Sequence, residues 1–337
     1  MNKTAVKGGK YFSTPLANSW VKLMFYSCGA VTVLLLHWVI TESSDALRVV
    51  RNSAQILEPL TCLDVNRDTI LNRQFEYNGT HCSFKYDEAS VTDVFESHRS
   101  EWAHFGRTQA WWSVLTDDRW KGMKDIPLDV KNNFYKSSDS EATDLLSQLK
   151  RFNVKERGLA LDFGCGVGRL SMMLHKTLGY KKVIGIDQSV WHAIIARHEM
   201  KRLGLNENVE FRVSSPDLLK TVKGLRFDLV ISIIVLQHMV PSLMVMYIEQ
   251  FCDVLNVGGH GYFQVPTYLK ADYSQFKCDY KWSIEEGGMQ VWYLEHKQVE
   301  SSLNRRGCRI LNSYVMDSIG IPESKSECFF FVKQSNG

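Results

Sequence analysis

The chain has 337 residues, 45% of them hydrophobic, with 40 basic and 37 acidic side chains and a formal net charge of +3. That apolar content suffices for one large domain or two ordinary ones and excludes a disordered or collagen-like chain. Near charge balance gives no footprint for nucleic acid. The eight cysteines form no CxxC pair or Cys/His cluster at zinc spacing, which argues against a structural metal.

The first feature along the chain is "KLMFYSCGAVTVLLLHWVI", in which Leu23 to Ile40 runs for 18 residues without a formal charge. A helix of that length rises about 27 Å, close to the roughly 30 Å of a hydrocarbon core. The stretch is expected to be a transmembrane signal anchor, the alternatives being a buried core helix or a cleaved signal peptide. Lys3, Lys7, Lys10 and Lys22 precede it, whereas only Arg48 and Arg51 follow closely. The positive-inside rule therefore puts a basic tail, residues 1–22, in the cytoplasm and everything after Ile40 in the lumen or outside the cell. A polar stem, residues 41–90, carries "NGT" at Asn78 to Thr80, an N-glycosylation acceptor pattern, between Cys62 and Cys82, a separation that a disulfide can close.

Residues 91–153 are rich in aromatics. "EWAHFGRTQAWWSVLTDDRWKG" holds Trp102, Phe105, Trp111, Trp112 and Trp120, and such density predicts a helical cap packed on a core. From residue 154 to the end, strands and helices alternate, which predicts an α/β, doubly wound parallel sheet with right-handed crossovers. "GLALDF", "KKVIGID", "VEFRVS", "FDLVISIIV" and "GYFQVP" read as strands in order, and "CRILNSYVMD" with "CFFFVK" as a closing hairpin. "RLSMMLHKTLG" places Leu170, Met173, Leu174 and Leu178 on one helical face, and "SVWHAIIARHEMKRLG" places Trp191, Ile194, Ile195 and His198 at helical spacing. "PSLMVMYIEQFCDVL" opens with Pro241, suited to a first helical turn, and "KQVESSLNRRG" is a further helix.

The segment "LALDFGCGVGRLS" joins the first strand to the first of these helices. Glycines there let backbone approach a ligand closely, and the helix N-terminus offers unpaired amides. Gly164, Gly166 and Gly168 follow Asp162, so the third glycine comes one residue early for a dinucleotide fingerprint. That spacing suits a ligand with an ammonium group and no pyrophosphate. Asp187 ends the second strand nineteen residues after Gly168, where a carboxylate can accept both hydroxyls of a ribose. Asp217, in "SSPDLL", is either a helix cap or an acceptor for an adenine amino group.

"LDFGCGVGRLS", "VIGIDQS", "SSPDLL", "FDLVISIIVLQHM" and "LNVGGHGYFQVP" follow the order and spacing of class I S-adenosylmethionine-dependent methyltransferases. The chain resembles the broad small-molecule group of types 11 and 12 over roughly residues 95–333. The resemblance implies a Rossmann-like, seven-stranded sheet with an antiparallel last strand, and S-adenosyl-L-methionine as cofactor. It implies that Gly164, Cys165, Gly166 and Gly168 line the methionine part, with Asp162 near its ammonium. Asp187, with Gln188 beside it, would hold the ribose. Asp217 and Leu218 would flank the adenine, Ile233 and Gln237 would lie beside the sulfonium, and Tyr135 would close over the cofactor. His238 in "LQHM" is a candidate base, since imidazole titrates near neutrality, with a packing role as the alternative. Arg107 and Trp112 are candidate acceptor contacts, and the insertion "TYLKADYSQFKCDYKWSIEEGGMQVWY" is a further substrate-facing segment.

Missing motifs narrow the reaction. After the fourth strand the chain reads "SIIVLQHM", without the Asn/Asp-Pro-Pro-aromatic run of base amino-methylating enzymes, the thiol of cytosine-carbon enzymes or the acids of a magnesium-dependent catechol-type site. The expectation is methyl transfer to an oxygen or nitrogen of a small molecule, glycan or lipid, with no nucleic-acid partner. The enzyme would be single-pass, in the secretory pathway (ER or Golgi), with a lumenal catalytic domain. That orientation requires donor imported from the cytosol. Two other readings remain open: a non-catalytic donor-binding module, and a nicotinamide-dependent oxidoreductase on a similar sheet.

Overall fold

The structure, a computed structural model, describes residues 88–116, 118–121, 126–268, 289, 291–316 and 324–335. The expected membrane span, the glycosylation tripeptide, Cys62 and Cys82 lie outside the described residues, as does most of the insertion after the fifth strand. Among the described residues no helix is long and apolar enough to cross a membrane.

Seven strands form one sheet: β1 (Leu159–Phe163), β2 (Lys182–Asp187), β3 (Val209–Val213), β4 (Phe227–Ser232), β5 (Leu255–Tyr268), β6 (Cys308–Met316) and β7 (Lys325–Lys333). Their order is β3-β2-β1-β4-β5-β7-β6. The first five are mutually parallel, and β7 runs antiparallel to both β5 and β6. The expected doubly wound sheet and closing hairpin are thus present. Order reverses between β2 and β4 on either side of β1, so the crevice beyond the carboxyl ends of β1 and β4 is the switch point at which such sheets bind ligands.

Helices cover both faces because a parallel sheet must bury both. One face packs α8 (Pro241–Val254) and α9 (His296–Arg305) against Leu161, Phe163, Phe227, Val230 and Phe263. On the other face, α3 (Leu128–Lys136), α4 (Asp139–Arg151), α5 (Arg169–Lys176) and α6 (Val190–Arg202) enclose Ala160, Leu229, Ile231 and Tyr262. α7 (Leu218–Thr221) is a single turn. The N-terminal helix α1 (Glu88–Thr108) lies on α6 and α8, followed by the short α2 (Trp112–Leu115). Trp111 and Trp120 are buried against Phe134 with ring centroids 4.9 and 5.2 Å apart.

Leu170, Met173, Leu174 and Leu178 are all buried, as their spacing predicts. α6 departs from expectation. Trp191 is 43% exposed and the His198 side chain 62% exposed, while the buried face carries His192, Ala193, Ala196, Glu199 and Met200. Two alanines let this helix sit close to the sheet. Glu199 tolerates burial because Lys131 and Arg202 reach it at 3.1 and 2.6 Å. β4 also ends three residues short of the expected "FDLVISIIV", because Ile234 turns to φ 59°.

Candidate active site

A cavity opens where the carboxyl ends of β1, β2 and β4 meet α1 and α2. Asp162, Gly164, Cys165 and Gly166 form its floor with Arg169 and Leu170, and Asp187 and Gln188 stand at the end of β2. Ile233, Ile234, Val235 and His238 line it beyond β4, and Trp102, Ser113 and Val114 come from α1 and α2. The enclosed space is about 60 Å³, well under the roughly 300–1,000 Å³ of small-molecule sites. Val114 and Val235 lean over the glycine loop, so admitting a nucleoside-sized ligand requires these side chains to give way.

The glycines are dictated locally. Gly166 sits at φ 52°, where a side chain is strained, and an added Cβ would lie 2.6 Å from Val114 Cγ2. Gly168 caps α5 in the left-handed region at φ 88°. The loop is tied to β2, since the amides of Gly164 and Cys165 both donate to the Ile186 carbonyl, at 2.7 and 2.9 Å.

Asp187 is 7% exposed, and both carboxylate oxygens accept backbone amides: Oδ2 from Gly166 at 2.9 Å, Oδ1 from Ser189 at 2.8 Å. His192 Nδ1 lies 3.6 Å from Oδ1, and its Nε2 is 2.9 Å from the Ser113 hydroxyl. Asp162 is 1% exposed and accepts the Ser171 hydroxyl at 2.6 Å. Burial lifts its pKa to about 6, offset in part by the Ser171 hydrogen bond and the Arg169 charge. Cys165 is buried and its thiol is pushed well up by burial and the two neighbouring carboxylates, so it is an inert wall.

Beyond β4, Ile234 is a β-branched residue at φ 59°, a costly conformation that aims its neighbours into the cavity. Its amide donates to Gln264 Oε1 at 3.0 Å, which holds the turn. His238 packs against Trp102, ring centroids 5.3 Å apart. On α1, buried His98 is pulled down to about 4, by burial first and then by the nearby His238.

Several sequence expectations are redirected by this geometry. Asp217 is a helix cap: its side chain accepts the Lys220 amide at 2.9 Å and is 42% exposed. Leu218 is fully buried in the core behind it, and neither lines the cavity. Tyr135 does not close over the cavity; it is buried and donates to the Val167 carbonyl at 2.9 Å, bracing the glycine loop from beneath. Gln237 turns into a buried network, accepting Gln264 Nε2 at 3.1 Å, while Ile233 does line the cavity. Arg107 is exposed in the last turn of α1, and Trp112 packs on Phe105 at 6.2 Å with Lys121 over its ring. Of the five aromatic residues singled out in the cap, Trp102 lines the cavity, together with Phe95 earlier on α1. Arg169 was not singled out from the sequence, where a basic residue after the last glycine reads as helix surface.

Residues 160–259 match the methyltransferase domain family. Among curated proteins, none matches this sequence. Solved structures with a related fold include magnesium protoporphyrin IX methyltransferase of Synechocystis PCC 6803 with bound S-adenosylhomocysteine. It is 17% identical over 74% of this chain and 100% of its own, TM-score 0.47. An S-adenosylmethionine-dependent methyltransferase of Clostridium acetobutylicum is 13% identical over 58% of this chain and 91% of its own, TM-score 0.45. The [4+2]-cyclase SpnF is 15% identical over 69% and 96%, TM-score 0.46. These are distant likenesses; the reading rests on the domain match and the cavity. The match over residues 160–259 supports a methyltransferase domain in this chain, with S-adenosylmethionine as its cofactor. The cavity's chemistry fits that group: two buried carboxylates for a ligand that carries an ammonium group and a ribose, and an arginine with unsatisfied donors.

Proposed function

We propose that this protein transfers a methyl group from S-adenosylmethionine to an oxygen or nitrogen of a small molecule, glycan or lipid. The observation that carries the reading is the convergence of Asp162, the glycine loop and Asp187 on one cavity whose opposite wall bears Trp102 and His238. Bound S-adenosylmethionine supplies a sulfonium-activated methyl group, so little covalent chemistry is left to the protein. Asp187 and Gln188 hold the ribose, and Asp162 faces the ammonium. Ile233, Ile234 and Val235 supply an apolar wall that keeps water from the methyl group. His238 takes the acceptor's proton.

The test is label transfer from methyl-labelled donor, using the full chain against separated lipid, glycan and small-molecule extracts. Label is expected in one fraction, and His238→Gln is expected to lower kcat by about 10²–10⁴-fold, the usual worth of a positioned base. An unchanged kcat would return His238 to a packing role, and donor binding without transfer to any fraction would favour a non-catalytic module.

The proposed setting is a single-pass anchor at residues 23–40 with the catalytic domain in the secretory lumen. The basic residues before the span and the Asn78 tripeptide support it. So does a buried disulfide between Cys252 of α8 and Cys308 of β6, since such bonds persist in oxidising compartments. Endoglycosidase treatment of the cellular protein is expected to increase its gel mobility. An unshifted band, with protease attack from the cytosolic side, would contradict the lumenal assignment.

A further inference from the structure

A second polar cluster lies outside the cofactor cavity, where β5 and β7 meet the start of α9. Glu327 of β7 is 4% exposed, and its carboxylate accepts from Thr267 Oγ1 at 2.8 Å, His296 Nδ1 at 2.7 Å and Lys325 Nζ at 2.6 Å. Burial works against ionisation of Glu327, but these hydrogen bonds hold its carboxyl below the usual range. With Nδ1–H given to the carboxylate, His296 presents Nε2 to a further partner. Its side chain is 42% exposed and its ring leans on Phe329, centroids 5.1 Å apart. Tyr268 stands opposite Lys325 in the β5–β7 register, hence on the same face of the sheet, and is 53% exposed.

Burying a carboxylate is costly, and a histidine that only meets solvent needs no such support. A buried acid behind an imidazole is the arrangement that fixes the ring for a partner on its other side. The chemistry on offer describes that partner. Glu327 cancels the charge of Lys325, so the pair leaves ammonium donors without a net charge. Beside them are an imidazole edge and an open aromatic ring, which together match a group with hydroxyls and an apolar face.

The cluster stands at the same end of the sheet as the cavity. The Leu294 amide donates to the Pro266 carbonyl near the end of β5, and the Trp292 amide to the carbonyl of Gln237, the neighbour of His238. Four residues of chain span at most about 14 Å, so an elongated acceptor whose reacting atom lies at His238 can extend to His296.

We propose that Tyr268, His296 and Lys325, with Glu327 holding the imidazole, form an acceptor subsite for an uncharged, hydroxyl-rich group, and that the acceptor is a glycan. This rests on the methyl-transfer reading above and narrows its acceptor class. A sugar ring lays its C–H face on Tyr268, one hydroxyl donates to His296 Nε2 and another accepts from Lys325. None of these four residues lines the cofactor cavity, so substitutions here separate acceptor binding from donor binding.

The experiment gives the full chain neutral oligosaccharides released from cellular glycoproteins. Saturation-transfer NMR without donor reads their binding, and label transfer from methyl-labelled S-adenosylmethionine reads turnover. The wild type is expected to bind and label them. Tyr268→Ala and His296→Ala are each expected to raise the apparent KM for oligosaccharide by about tenfold, with S-adenosylhomocysteine affinity unchanged by calorimetry. Tyr268 is exposed, so its variant decides the matter even if His296→Ala does not fold. A folded wild type that binds no oligosaccharide overturns the proposal, as does binding that both variants leave unchanged. Label confined to sugar-free lipids or small molecules also overturns it while keeping methyl transfer. Oligosaccharide binding that the variants abolish, with no label in any fraction, upholds the subsite and rejects the methyl-transfer reading.

Discussion

Asp187→Ala is expected to weaken S-adenosylhomocysteine binding by about a hundredfold or more, some 3 kcal/mol, and to lower the thermal midpoint as well. The carboxylate has two tasks. It accepts the amides of Gly166 and Ser189, and each buried amide left without a partner costs about 1–3 kcal/mol. Loss of the Gly166 bond also frees a loop held at φ 52°, so the floor of the cavity loosens. The remaining lone pairs are those proposed for the ribose, where hydrogen bonds to a charged group are worth about 1.5–3 kcal/mol each. Asp187→Asn should fall between the two, because its amide nitrogen cannot accept from one of the backbone donors. Titration and a thermal melt on both variants check this, and wild-type binding by Asp187→Ala would contradict the assigned role.

Asp162→Asn is expected to separate stability from binding. The folded-state pKa of Asp162 is about 6, against about 3.9 for an unperturbed aspartate. Between those values the folded chain binds more protons than the unfolded chain, so stability falls as pH rises through that window. Above pH 6 the penalty for holding the buried charge is complete, about 3 kcal/mol at 1.36 kcal/mol per unit. Asparagine carries no charge and still accepts from Ser171. The variant should therefore be more stable than wild type at pH 8, by up to about 3 kcal/mol, and no more stable at pH 4. It should also bind the donor poorly, because the negative charge facing the ammonium is gone. Denaturant melts at the two pH values, beside ligand titration, test both halves. A variant less stable at pH 8 would show that the charge supports the fold.

The sheet was legible because buried parallel strands read as short apolar runs ending in glycine or acid, as "LALDF" and "KVIGID" do. The glycine loop, Asp162 and Asp187 were legible for the same reason: they fall where a strand ends, and the structure brings them to one cavity. What escaped depends on partners distant in sequence. Glu199 is a buried acid whose partner Lys131 lies on another helix, and Ala193 and Ala196 are too small to mark a buried face. Arg169 is held by Glu141, 28 residues earlier. Cys252 and Cys308 stand 56 residues apart with no spacing signal between them. Asp217 was open to two roles, and the start of a one-turn helix claimed it as a cap. Trp102 and Trp112 are alike in the sequence; the direction each faces on the cap separates them.

The most direct measurement is calorimetric titration of the full chain with S-adenosylmethionine and S-adenosylhomocysteine, with Asp187→Ala beside it. Saturable binding of both at one site, lost in the variant, is the predicted result and justifies the search for the acceptor. A well-folded chain that binds neither, or that binds NADH instead, would contradict the assignment of this cavity to methyl transfer.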